Sequence, residues 1–117
     1  FSAAVNRCAR GPLDLNSLLV RNPPSTFFAR MAGDSMVGAG ICDGDLLVID
    51  RSLSPGDGDI VVVFADGEFV ARRFRRAAGG VRLESEGARS ESLSFSGEGG
   101  VDLFGVVTAM VRRFSRI

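Results

Sequence analysis

A serine stands where an extended segment runs into a glycine-rich loop. Residues 26–31 are β-prone and lead directly into Gly33-Asp34-Ser35-Met36. A nucleophilic serine needs this setting, because its hydroxyl must be exposed and backbone N–H groups must lie nearby to hold an oxyanion. Ser35 is therefore the candidate nucleophile, and the backbone N–H groups of Ser35 and Met36 are the candidate oxyanion donors. A lone serine in a loop is more often a turn residue, so this interpretation depends on its surroundings.

The chain has no obvious base for this serine, because it contains neither lysine nor histidine. A lysine of pKa ~10.4 must fall by ~3.4 units to work near pH 7, which lies within the ~3–5 units that burial can produce. An arginine near ~13.8 would have to fall by ~7 units, at a cost of roughly 9 kcal/mol. The carboxylate of Asp34 is a weaker alternative, since Asp34 belongs to the turn of the motif. Ser35 is thus expected to lack a competent activator.

The segment before the serine predicts one short helix. Residues 14–20 can form one or two helical turns, with Asp14 as the N-cap. Pro23-Pro24 then ends the helix, because proline cannot continue it.

The segment after the serine predicts antiparallel strands. Residues 45–50 and 59–65 are short β-branched runs bounded by Asp and Gly, which favours buried strands. Asp66-Gly67 is a hairpin turn signal, so residues 68–74 should return antiparallel. Further strands are expected at 81–84 after Gly79-Gly80, to a small extent within 85–100, and at 101–114 with a break at Gly105.

Length and composition limit the organisation and the function. A chain of 117 residues accommodates one domain, which we divide into an arm over 1–13 and a folded domain over 14–117. The net charge of zero gives no reason to expect nucleic-acid binding, and no apolar run is long enough to span a membrane. Cys8 and Cys42 are interpreted as reduced thiols of a cytoplasmic protein. No cofactor is expected.

Three charged groups have simple explanations. Arg72, Arg73, Arg75 and Arg76 surround Phe74, and Arg112, Arg113 and Arg116 lie near the chain end. Either a nucleic-acid contact or a solvated strand end would account for the first group, and the neutral net charge favours the strand end. The second group is interpreted as a solvated tail. Asp43, Asp45, Asp57 and Asp59 suggest a metal site, but each adjoins a glycine at a strand entry, so turn chemistry is favoured.

Several blocks together resemble the peptidase S24 family, of UmuD/LexA type. They follow one another at the spacing of that family, which makes a chance match improbable. The blocks are Ala32-Gly33-Asp34-Ser35-Met36, Gly44 to Asp50, Gly58 to Val62 and Asp66-Gly67-Glu68-Phe69, with UmuD-like features at Asp14 to Leu19 and Val101 to Val107. The resemblance covers nearly the whole chain and implies a mainly β, compact antiparallel, barrel-like C-terminal fold.

The resemblance also implies roles for individual residues. In this family the serine attacks a peptide bond in the protein's own N-terminal arm, and a buried lysine removes its proton. The lysine lies in a Glu-Phe-x-x-Lys pattern, which here reads Glu68-Phe69-Val70-Ala71-Arg72. Arg72 therefore occupies the lysine position, while a register shifted by one residue would place Ala71 there. Phe1 falls just after the family's cleavage site, which implies a processed form.

The implied function is that of a UmuD-like accessory subunit of an error-prone Y-family translesion polymerase in the SOS response. Such proteins form homodimers and respond to the RecA filament, and the apolar strand 101–111 is a candidate dimer contact unless it lies mid-sheet. Two alternatives remain open. One is an active self-cleaving S24 peptidase whose lysine has been altered, and the other is the dimerisation domain of a LexA-like repressor.

Overall fold

The structure, a computed structural model, describes residues 14–87, 92–95 and 101–115. It contains one short helix, two single 3₁₀ turns and seven strands. The helix α1 is Leu15–Leu19, and the 3₁₀ turns are Pro23–Ser25 and Val37–Ala39. The strands are β1 (Thr26–Arg30), β2 (Leu46–Asp50), β3 (Ile60–Ala65), β4 (Glu68–Ala77), β5 (Gly80–Glu84), β6 (Ser92–Phe95) and β7 (Val101–Val111).

Helix α1 begins and ends as the sequence predicts. The Asp14 side chain accepts a hydrogen bond of 3.0 Å from the Asn16 N–H and another from the Ser17 hydroxyl. These bonds satisfy donors that the first helical turn leaves free. The helix ends before Pro23, where the chain turns into β1.

All strand pairs are antiparallel and form one sheet of order β1-β2-β7-β3-β4-β5-β6. The predicted hairpin is present, with Ala65 opposite Glu68 across Asp66-Gly67. Both turn residues have positive φ, 50° and 80°, as a two-residue turn of this kind requires. The mainly β fold class is confirmed.

Strand β7 differs from its prediction in two ways. It ends at Val111 rather than 114, and it continues through Gly105 instead of breaking there. Phe104 is an extra residue relative to β3, and Thr108 is an extra residue relative to β2. These bulges accommodate the irregularity near Gly105, where the sequence predicted a break in the strand. β7 also lies between β2 and β3 in the sheet order, although both strands flank it only at Val106 and Val107, since β3 pairs with residues 101–107 and β2 with residues 106–111.

Apolar side chains pack on both faces of the sheet. Val62 belongs to one cluster, whereas Val61 and Val63 belong to the other, because neighbouring residues of a strand point to opposite faces. The first cluster contains Met31, Met36, Ile41, Leu47, Ile49, Val62 and Ala71. The second contains Val61, Val63, Phe74, Leu83 and Val106. Because Met36 is in the first cluster, the serine loop packs against that face.

Two predictions made from composition concern the cysteines and membrane-spanning segments. Cys42 is a free, partly buried thiol, while Cys8 lies outside the described residues, as does the whole 1–13 segment. Among the described residues, no helix is long and apolar enough to cross a membrane.

Gly105 is the position where the sheet leaves least room. A Cβ there would lie 2.7 Å from Ile49 Cγ2 and 3.1 Å from the Asp50 carbonyl oxygen. We expect Gly105→Ala to lower the free energy of unfolding by about 1–3 kcal/mol, because the strands must move apart. Urea unfolding measures the change. The matched control is Gly79→Ala, where a Cβ meets nothing within 4 Å; equal effects of the two substitutions would contradict the prediction.

Candidate functional site

The serine loop, residues 31–45, is closed at its base by backbone hydrogen bonds. Met31 N–H donates to the Asp45 carbonyl at 2.7 Å, and Gly44 N–H donates to the Met31 carbonyl at 2.8 Å. Gly33 has a φ of 87° and donates its N–H to the Asp43 carboxylate at 2.7 Å. A side chain is strained at this φ, which accounts for the glycine at the start of the motif. The loop is therefore held at both ends.

Ser35 lies at the rim of the core. The next residue, Met36, is fully buried, and its carbonyl accepts hydrogen bonds from the N–H groups of Ala39 and Ile41. Ser35 itself is only partly buried. Burial of Met36 thus fixes the backbone while the serine side chain stays accessible.

The segment after β5 forms a second support for the serine loop. Glu86 donates its N–H to the Ser35 carbonyl at 2.7 Å and accepts from the Gly38 N–H. A Cβ on Gly87 would lie 2.7 Å from the Asp34 carbonyl oxygen, so only glycine allows this approach. Arg73 on β4 holds Glu86 through Nε–Oε2 and Nη2–Oε1 contacts of 2.7 and 3.2 Å. This ion pair lowers the pKa of Glu86 and raises the pKa of Arg73.

Arg72, the residue that the resemblance places at the lysine position, reaches Ser35. Its Nη1 donates to Ser35 Oγ at 3.4 Å and to the Ala71 carbonyl at 2.8 Å. Ala71 is instead buried in the first core cluster, beneath the cleft. The side chain of Arg72, and not that of Ala71, meets the hydroxyl, while the assignment of Arg72 to the lysine position stays a prediction.

The backbone amides of Ser35 and Met36 are the candidate oxyanion donors. Within the described segments, neither N–H donates a hydrogen bond to the protein. Ser35 is partly exposed, whereas Met36 is fully buried, so the Met36 N–H is not open to an incoming oxygen atom. The polar end of the site thus consists of a hydroxyl and a guanidinium, with the Ser35 N–H as the candidate oxyanion donor beside them.

These groups open into a cleft of about 520 Å³. Its walls combine apolar side chains with the first residues of β4. They include Ala29, Met31, Leu47, Val62, Phe69 and Ala71, together with Arg30 and Glu68. A peptide with a small or apolar side chain fits such a lining.

Arg112 corrects the interpretation of the C-terminal basic group as a solvated tail. It forms a two-pronged ion pair with Asp45, with Nε–Oδ1 and Nη2–Oδ2 distances of 2.8 and 2.7 Å. The Asp45 side chain is 2% exposed, and a buried carboxylate needs such a partner. Arg112 lowers the pKa of Asp45 from 3.8 to about 2, assisted by the Cys42 N–H. Sequence reasoning missed the pair because 67 residues separate its members.

The other charged residues singled out in the sequence serve the fold. Arg73 and Arg75 pair with Glu86 and Glu84, and Arg76 lies over the Phe74 ring. The strand-end cluster is therefore partly neutralised by its neighbours on the sheet. Asp59 accepts a hydrogen bond from the Gly56 N–H within its own turn, whereas Asp57 accepts one from the Arg76 N–H on β4. No cluster of three possible metal ligands occurs within 14–87, 92–95 and 101–115, and Arg116 lies outside these ranges.

The described residues thus form an antiparallel β domain in which a partly buried loop serine meets a basic side chain from a strand. The chain belongs to the peptidase S24-like family, whose profile matches residues 2–108.

Individual relatives agree with this membership. Protein ImpA of Escherichia coli is 40% identical over 116 residues, which cover 97% of this chain and 77% of that protein. Protein SamA of Salmonella typhimurium LT2 is 48% identical over 63 residues, covering 54% of this chain and 45% of that protein. A LexA repressor of Clostridium botulinum is 40% identical over 67 residues, covering 57% and 33%.

The Asp45–Arg112 pair generates a prediction on acid stability. Because the folded-state pKa of Asp45 lies below its ordinary value, the unfolded chain binds more protons between about pH 4 and pH 2. Stability should therefore fall as the pH decreases through this window. Asp50 adds to the slope, since hydrogen bonds from Ser52 and Asn22 lower its pKa to about 2.

We expect Arg112→Gln to destabilise the fold at neutral pH and to make the acid slope shallower, leaving the contribution of Asp50. Thermal unfolding at a series of pH values measures both effects. Arg113→Gln, at an exposed neighbouring position, is the matched control. An unchanged acid slope in Arg112→Gln would mean that the ion pair does not set the pKa of Asp45.

Proposed function

We propose that this chain is a UmuD-like domain that works by binding partners and no longer cleaves its own arm. The observation that carries the proposal is the 3.4 Å contact between Arg72 and Ser35, with Arg72 at the position that we assign to the family's lysine. An arginine side chain in this position donates a hydrogen bond to the hydroxyl and cannot accept its proton. The serine thus keeps the geometry of the family without its base.

The proposed role is that of an accessory subunit of a Y-family translesion polymerase, acting as a homodimer in the SOS response to the RecA filament. Residues 1–13 would be the remnant of the arm and residues 14–117 the binding domain. A binding role survives loss of the base, because it needs the folded surface and not proton transfer. The match to Protein ImpA along 97% of the chain supports a UmuD-like identity.

A LexA-like dimerisation domain is the second candidate, supported by the 40% identity to a LexA repressor. That match covers 57% of this chain, whereas the ImpA match covers 97%, so the repressor hypothesis has less support than the UmuD-like one.

Restoring the lysine tests the loss of cleavage. The chain is extended before Phe1 by an arm that carries an Ala-Gly bond, and it is incubated with activated RecA or at alkaline pH. We expect the Arg72 protein to stay intact and Arg72→Lys to cleave, because a lysine needs only about 5 kcal/mol of pKa shift where an arginine needs about 9. Electrophoresis follows the products.

The control for this assay is the double variant Arg72→Lys, Ser35→Ala, which should stay intact because it lacks the nucleophile. Cleavage of the unaltered Arg72 protein would refute the proposed inactivity. A folded Arg72→Lys protein that is not cleaved would refute the assignment of the lysine position.

The binding role has its own test. The chain and a Y-family polymerase from the same organism are co-expressed, and the polymerase is recovered on the tagged chain. We expect recovery to be the same with Ser35→Ala, since the hydroxyl has no part in binding the polymerase. Absence of the polymerase from the recovered material would contradict the accessory role.

A further inference from the structure

Arg72 forms no salt bridge with any residue that the structure describes. The described residues form three salt bridges, which use Arg73, Arg75 and Arg112. Arg72 is half-buried, its Nε is buried without a hydrogen-bond partner, and Nη2 donates to no described atom. A partly desolvated guanidinium in this state is stabilised by an anion that it can bind with two parallel hydrogen bonds.

The groups near this guanidinium on the serine side are donors, while the Ala71 carbonyl and, elsewhere in the cleft, Glu68 are acceptors. The Ser35 hydroxyl lies 3.4 Å from Arg72 Nη1, and the Ser35 N–H donates to no described atom. A guanidinium and a hydroxyl donor side by side can bind an anion. A carboxylate suits this pair in shape, because a planar guanidinium matches its two oxygens.

The rest of the cleft indicates what carries the carboxylate. β5 pairs with β4 only from Arg73 onward, so residues 68–72 have no strand beside them on that side within the described structure. An open strand edge of this kind binds an extended peptide through its main chain. The apolar walls at Met31, Leu47 and Val62 accept a small or apolar side chain. The last residue of a peptide carries all three groups that the cleft can bind, namely a main chain, a side chain and a carboxylate.

We propose that the cleft beside Ser35 binds the C-terminal carboxylate of an extended peptide, with Arg72 as the ion partner. The inference rests on the proposed function, in which the cleft is retained but peptide-bond cleavage is lost. A bond cut at Ser35 would leave a new carboxylate beside the same hydroxyl. With arginine in place of lysine, the site binds this carboxylate instead of producing it.

The test compares two forms of one probe, N-acetyl-Val-Ala-Val-Ala-Val-Ala, as the free acid and as the C-terminal amide. Isothermal titration calorimetry measures their affinity for the chain at low salt. We expect the acid to bind roughly 10- to 100-fold more tightly, which corresponds to one hydrogen-bonded charge pair. In ¹⁵N spectra, the Arg72 Nε–H signal should shift with the acid and not with the amide.

Variants assign the preference to the cleft. Arg72→Gln should remove the difference between acid and amide, whereas Arg82→Gln, at an exposed position on β5, should retain it. Thermal unfolding confirms that both variants fold. An amide-capped probe with an internal aspartate should bind as weakly as the simple amide.

Four results would overturn the proposal: equal affinity for acid and amide, no binding of either at millimolar concentration, an equal loss in the two variants, or tight binding of the aspartate probe. This assay and the cleavage assay can fail separately. If Arg72→Lys restores cleavage but the Arg72 protein does not prefer the acid, the carboxylate site is refuted and the proposed function is not. An acid preference without restored cleavage would instead remove the support for an inactivated peptidase.

Discussion

The buried residue Asp45 holds together three parts of the chain that are distant in sequence. Its backbone carbonyl accepts the N–H of Met31 at the start of the serine loop, and its side chain binds Arg112 just beyond β7. Arg112 also donates to the Gly40 carbonyl at 2.7 Å, in the middle of the loop. The position of the serine turn therefore depends on a charge that would be costly to bury alone. Without this pair, the loop would keep its contacts with the core but lose its link to the end of the sheet.

On this foundation the site has two supports of different kinds. Burial of Met36 fixes the turn from below, and the Arg73–Glu86 pair fixes it from the side. Arg72 lies between them on the same strand as Arg73, yet the two arginines have opposite roles. Arg73 is neutralised by a carboxylate and builds the wall, while Arg72 forms no salt bridge among the described residues and faces the serine. Adjacent residues of a strand can diverge in this way because their side chains leave on opposite faces.

Much of the fold could be predicted because its signals are local. The Asp14 cap, the Asp66-Gly67 turn and the β-branched runs each specify a conformation within a few residues, and the structure has all of them. The Ser35–Arg72 meeting could be expected only through the family resemblance, since 37 residues separate the two side chains. The pairing of Asp45 with Arg112 had no local signal, because any arginine near the chain end looks solvated in the sequence. The bulges of β7 were invisible for a similar reason, as they are defined by the partner strands.

Those bulges set a rule for insertions and deletions. Before Phe104, odd-numbered residues of β7 such as Leu103 pack on the second core cluster; after it, the even-numbered Val106 does so. The extra residue Thr108 reverses the alternation again, so that Ala109 lies opposite Val48. Two phase changes thus cancel, and both ends of the strand share one parity. Loss of either extra residue would leave the rest of the strand facing as it does now, because its neighbours already oppose consecutive residues of the partner strand. Loss of any other single residue inside the strand would turn one of its ends to the opposite face, so length variation should be tolerated at Phe104 and Thr108.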